Sequence, residues 1–142
     1  LQEIAAVNGD SALYTNDMPS ETGSKEGDEV ITISPDQTGG VEVNVVWEFK
    51  AEKGLSQAAV LKEISSAMQN RHSVAGVFVV DREPKNAHWA SHSFHSGNRL
   101  ILVVDKELPI VIVPVEVPEL ILVAAFVFIF KFLLLSNPVF KN

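Results

Sequence analysis

The chain has 142 residues, 46% of them apolar, which is enough for one sizeable core and too short for two ordinary domains. It has no cysteine, which excludes a disulfide framework and a thiolate zinc site. The net charge of -7 is concentrated in residues 1–36, where eight acids face Lys25 alone, while residues 37–142 hold ten charges of each sign. An acidic chain repels phosphate backbones, so a high-affinity DNA-binding module is disfavoured and any nucleic-acid contact must rest on local Lys/Arg placement or bound metal.

Leu1–Val7 reads as the last turns of a helix already under way, stopped by the turn residues Asn8-Gly9-Asp10, so the chain is read as a piece of a longer protein. The opening residues lack the basic-then-apolar pattern of a secretory signal, and the expected location is the cytoplasm. A polar stretch follows, and residues 15–27 have loop composition. Asp28 to Ser34 is a β-branched strand candidate, and Pro35 to Gly40 a connection.

From Val41 to Lys50 the chain alternates: Val41, Val43, Val45, Trp47 and Phe49 on one face, and Glu42, Asn44, Val46, Glu48 and Lys50 on the other. The two runs read as a hairpin. Ser56 can cap a helix whose apolar residues Val60, Leu61, Ile64, Ala67 and Met68 recur at helical spacing, ending near Asn70-Arg71. Val74 to Val80 and Leu100 to Val104 are short, nearly all-apolar strand candidates covered on both faces, with a Ser/His/Asn-rich loop between them. The order helix, strand, strand, helix, strand, strand implies an α/β fold with a mixed sheet flanked by helices.

The chemistry is concentrated in Trp47-Glu48-Phe49-Lys50. A period of two puts the Glu48 carboxylate and the Lys50 ammonium on one face. Asp28, behind Gly27 at the start of the partner strand, is brought by the hairpin's open end towards Glu48 and Lys50. The bland alternative is a surface ion pair on an amphipathic strand. Two converging carboxylates without a nearby thiol or imidazole make a hard, oxygen-rich site suited to Mg²⁺ or Mn²⁺.

Gly27-Asp28, a spacer, and then Glu48-Phe49-Lys50 closing a strand before an amphipathic helix resemble the signature of the PD-(D/E)XK, restriction-endonuclease-like nucleases. The resemblance runs from about Leu1 through Asp105. It implies a metal-dependent hydrolase of DNA phosphodiesters, with Asp28 and Glu48 binding Mg²⁺, the Phe49 carbonyl as a third ligand, and Lys50 positioning or deprotonating water. Lys53 and Arg71 are the expected backbone contacts. Many relatives add a metal-binding Glu on the helix before the first strand, where Glu3 is the one acid here. A subgroup carries Gln and Tyr four residues apart on the following helix, whereas Gln57 is followed at that distance by Leu61.

His88, His92 and His95 include an i, i+4 pair that would suit zinc on a helix, but Ser, Asn and Gly around them favour an irregular loop. Trp47 lies among the inward valines and reads as core rather than as a base-stacking platform. The nuclease-like core is assigned to residues 1–107 and an apolar C-terminal segment to 108–142. In the latter, residues 119–135 are expected to pack on the core, on a second copy or partner, or, less in keeping with Lys131 and the short length, on a membrane. The competing functional readings are a nuclease-like scaffold without turnover and a membrane-associated protein acting through the tail.

Overall fold

A computed structural model describes residues 1–20, 23, 25–51 and 54–104. The apolar segment assigned to 108–142, its expected contact block 119–135 and Lys53 lie outside the described residues.

The fold is α/β, with a six-stranded mixed sheet and two α-helices among the described residues. Helix α1 (Gln2–Val7) ends at Asn8 and is followed by Gly9 at φ +77°, the left-handed stop expected of that turn. Strand β1 (Ser11–Tyr14) pairs antiparallel with β2 (Glu29–Ile33), and β2 pairs antiparallel with β3 (Val43–Lys50). Helix α2 (Gln57–Asn70) then returns the chain to β4 (Ala75–Asp81), parallel to β3. β5 (His92–His95) and β6 (Arg99–Val104) form a closing hairpin, with β6 parallel to β4, giving the order β1-β2-β3-β4-β6-β5.

Two of these strands fall in stretches read from sequence as polar or irregular. β1 is mostly exposed and β5 only half-buried, so neither needs the apolar composition that marks β4 and β6. The Ser/His/Asn segment is drawn into the sheet by a tight reversal in which Ser96 and Gly97 both take positive φ (+52° and +77°), so that His95 faces Arg99. Both strands lie at sheet edges, where pairing on one side suffices.

The alternation along β3 divides the core. Val45 and Trp47 join Ile31, Ile33, Ala75, Val77, Leu100 and Leu102 beneath Ala5 of α1. On the other face, Val60 and Ile64 of α2 pack on Phe78, Val80, Ile101 and Val103. Ser56 caps α2, its Oγ accepting from the Ala59 N–H at 3.2 Å.

The helix sits close because Gly76, opposite Val46 in the register, has no side chain; a Cβ there would come within 2.6 Å of Ile64 Cγ1 and 3.0 Å of Met68 Cγ. Gly76→Ala is therefore expected to destabilise the fold by roughly 1–3 kcal/mol through overpacking. Urea denaturation checks this: an unchanged midpoint would mean that α2 is not seated against β4 as described.

Candidate functional site

The site lies at the C-terminal end of β3, on the face covered by α2. The β2–β3 register pairs Glu29 with Trp47, and one further step sets Asp28 across from Glu48. Glu48 is 2% exposed and shares its face with Val46, because side chains alternate along the strand. Two residues on, Lys50 lies at the rim, its side chain 32% exposed.

Both carboxylates are fixed by main-chain donors from the opposing segment. The Gly27 N–H donates to Glu48 Oε2 at 2.7 Å, and the Phe49 N–H donates to Asp28 Oδ2 at 2.7 Å. Lys50 Nζ lies 3.1 Å from Glu48 Oε1 and 2.7 Å from Oε1 of Glu63 on α2. Asp28, Glu48 and Lys50 are thus brought together. In an extended strand a residue's N–H and C=O project to the same edge, so the Phe49 carbonyl also lies on the Asp28 side.

Burial, and after it the charge of Asp28, hold the Glu48 carboxyl above its ordinary range, against the opposing pull of Lys50 and the Gly27 N–H. The Lys50 ammonium is also pushed up, first by Glu63 and further by Glu48, although partial burial works the other way. The two shifts agree physically: the lysine, at the rim, gains from two carboxylates, while the buried glutamate pays for its desolvation and for its acidic neighbour. Glu29, next to Asp28, follows Ile31 and Ile33 onto the opposite face, where burial raises its carboxyl too.

The segment that delivers Gly27 and Asp28 is held by the end of α2. Arg71 donates from Nε to the Glu26 carbonyl at 3.0 Å and from Nη2 to the carbonyls of Thr15 at 2.9 Å and Gly27 at 3.3 Å. Ser66 and Asn70 donate to the Glu26 carboxylate, and Thr15 Oγ1 to the Gly27 carbonyl at 2.6 Å. Gly27 itself sits at φ +94°, where a Cβ would come within 2.8 Å of both Arg71 Cγ and Val46 Cγ2. Arg71, expected from sequence as a nucleic-acid contact, is thus engaged in organising this loop.

Glu63 lies outside the residues expected from the sequence, although the sequence carries a signal for it. It falls three residues after Val60 and four before Ala67, inside the stripe that α2 buries, where an acid needs a partner. Glu3 is exposed on α1, whose Ala5 packs on the face opposite α2, so it is not brought to the site. His92 and His95 lie on β5, His95 Nε2 being 3.0 Å from Ser93 Oγ. Among the described residues no group of three or more His, Asp or Glu side chains is arranged to hold a metal ion, and no helix is long and apolar enough to cross a membrane. No protein-family model, curated protein or solved structure matches the chain.

The raised Glu48 carboxyl fixes the sign of a pH effect. A folded-state value above the unfolded one contributes stability that is fully present below the unfolded value and is lost as pH rises through the folded one. Glu48→Gln removes this titration and keeps an acceptor for the Gly27 N–H. Between pH 4 and pH 8 the stability of Glu48→Gln relative to the wild type is therefore expected to improve, because the neutral amide escapes the desolvation of a buried carboxylate and, after it, the repulsion of Asp28. Paired urea melts at the two pH values measure it, and a relative stability that falls as pH rises would contradict the assignment.

Proposed function

We propose that the chain is a magnesium-dependent nuclease domain of the PD-(D/E)XK, restriction-endonuclease-like class, cleaving phosphodiester bonds of DNA in the cytoplasm. The observation that carries this reading is the placement of Asp28 across from Glu48 with Lys50 two residues along the same strand. The surrounding order also supports it: a strand beginning after Gly27-Asp28, a strand ending in Glu48-Phe49-Lys50, an amphipathic helix, then an apolar parallel strand.

The donor set fits a hard divalent cation. Asp28 commits Oδ2 to the Phe49 N–H and keeps Oδ1 for a ligand, while burial and then Asp28 disfavour the charged form of Glu48, a penalty that a cation would offset. Asp28, Glu48 and the Phe49 carbonyl would hold Mg²⁺ or Mn²⁺, which when bound supplies an activated water and polarises the phosphate. The Gly27 and Phe49 N–H groups keep the two carboxylates from swinging apart. Glu63 and Glu48 both favour the Lys50 ammonium, so it would serve as a positive charge and hydrogen-bond donor to a phosphate or water oxygen.

The test is calorimetric Mg²⁺ and Mn²⁺ titration of the wild type and of Asp28→Ala, Glu48→Ala and Lys50→Ala, with cleavage of linear and circular DNA by the same proteins. Metal binding and cleavage are expected in the wild type and loss of both in the carboxylate variants. Lys50→Ala should keep metal binding and cleave on the order of 10²–10³-fold more slowly, the usual loss for one transition-state donor. Folded wild-type protein that binds neither ion would turn the assignment towards a scaffold without turnover.

A further inference from the structure

We propose that Glu63 is the positioning residue for Lys50, an inference that rests on the nuclease reading for its catalytic meaning but not for its geometry. The carboxylate of Glu63 lies closer to Lys50 Nζ than that of Glu48 does, 2.7 Å against 3.1 Å. The two carboxylates come from different elements: Glu48 from the strand that carries Lys50, Glu63 from the helix packed over it.

A lysine ends in a compact charge on a flexible four-carbon stem. With Glu48 as its sole anchor, Lys50 could satisfy the pair and still swing across the open rim. A second anchor on α2 reduces that freedom to one seat. An ammonium has three N–H donors, and with two taken by carboxylates one is left for an oxygen of substrate or water.

The bland alternative is an ordinary rim ion pair. With the lysine side chain 32% and the Glu63 side chain 23% exposed, such a pair contributes little to stability. Glu63 stands out by where it lies, beside Val60 and Ile64 in the buried stripe of α2 and paired with Lys50. Its helix is independently seated by Gly76 and capped by Ser56, so removing the Glu63 carboxylate leaves the packing in place.

The deciding measurement is the side-chain ammonium signal of Lys50 in the ¹⁵N-labelled chain, assigned by its disappearance in Lys50→Arg. Ammonium protons held between two carboxylates exchange slowly with water, and the wild-type signal is expected to be visible. Glu63→Ala should speed that exchange at least tenfold, and Glu63→Asp, with a shorter reach, should restore part of the protection. Unchanged exchange in a cooperatively folded Glu63→Ala would overturn the proposal. If that variant does not fold, Glu63→Gln takes its place, with the same reading of faster or unchanged exchange.

Cleavage supplies the second readout. Glu63→Ala should lower kcat by about 10–100-fold, the scale of a misplaced catalytic group, with KM moving less than about threefold and Mg²⁺ affinity unchanged. A KM effect alone would assign Glu63 to substrate binding and overturn the positioning role. Should the wild type cleave nothing, the nuclease reading fails, while the exchange measurement still decides whether Glu63 seats Lys50.

Discussion

The buried carboxylate of Glu48 is the constraint around which this end of the molecule is built. On a face otherwise made of Val46, Phe78 and the apolar side of α2, an ionised group is tolerated only if its oxygens are satisfied. One oxygen takes the Gly27 N–H and the other the Lys50 ammonium. The first of these bonds sets a requirement on the loop, because the Gly27 N–H must be presented from a buried residue at positive φ. Arg71 and Thr15 meet it by binding the loop's carbonyls, and Ser66 and Asn70 by binding the Glu26 side chain. A glycine, an arginine at a helix end and a threonine far away in sequence thus serve a single carboxylate.

The topology explains why the groups meet where they do. β3 is the strand at which the sheet changes from antiparallel to parallel pairing. Its antiparallel neighbour therefore begins where β3 ends, which brings Asp28 alongside Glu48. Its parallel neighbour requires a crossover, which carries α2 back over the same face and places Glu63 above Lys50. Ligands in open α/β sheets commonly sit beyond the carboxyl ends of parallel strands, and the exposed rim at Lys50 occupies that position.

Much of this was legible in the sequence because it depends on local period. The alternation of Val45, Trp47 and Phe49 against Val46, Glu48 and Lys50, the helical recurrence of Val60, Ile64 and Ala67, and the apolar runs of β4 and β6 are direct consequences of burial. The hairpin of β2 and β3, and with it the meeting of Asp28 and Glu48, followed from the same pattern. What escaped depends on partners distant in sequence. β1 and β5 are edge strands whose side chains are mostly not buried, so their composition carries no strand signature. The role of Arg71 rests on carbonyls 44 to 56 residues away, and a side-chain type alone cannot tell a loop-binding guanidinium from a phosphate-binding one. Glu63 is an intermediate case: its helical phase was readable, but its partner became evident only once α2 was laid over β3.

Charge balance bears on how such a site could work. Asp28, Glu48 and Glu63 contribute three carboxylates and Lys50 a single ammonium, so at formal charges the cluster is short of positive charge by two. The raised Glu48 carboxyl reflects its burial first and the neighbouring Asp28 second, which the lysine does not fully offset. A phosphodiester approaching this cluster brings further negative charge, and the chain's overall acidity adds to the barrier. Under the nuclease reading Lys50 therefore cannot neutralise the phosphate alone, because its charge is already matched by the glutamates that hold it. A divalent cation on Asp28 and Glu48 would cancel the shortage and turn their repulsion into shared ligation. Lys50, relieved of part of its hold on Glu48 but still seated by Glu63, would then be free to face the substrate oxygen.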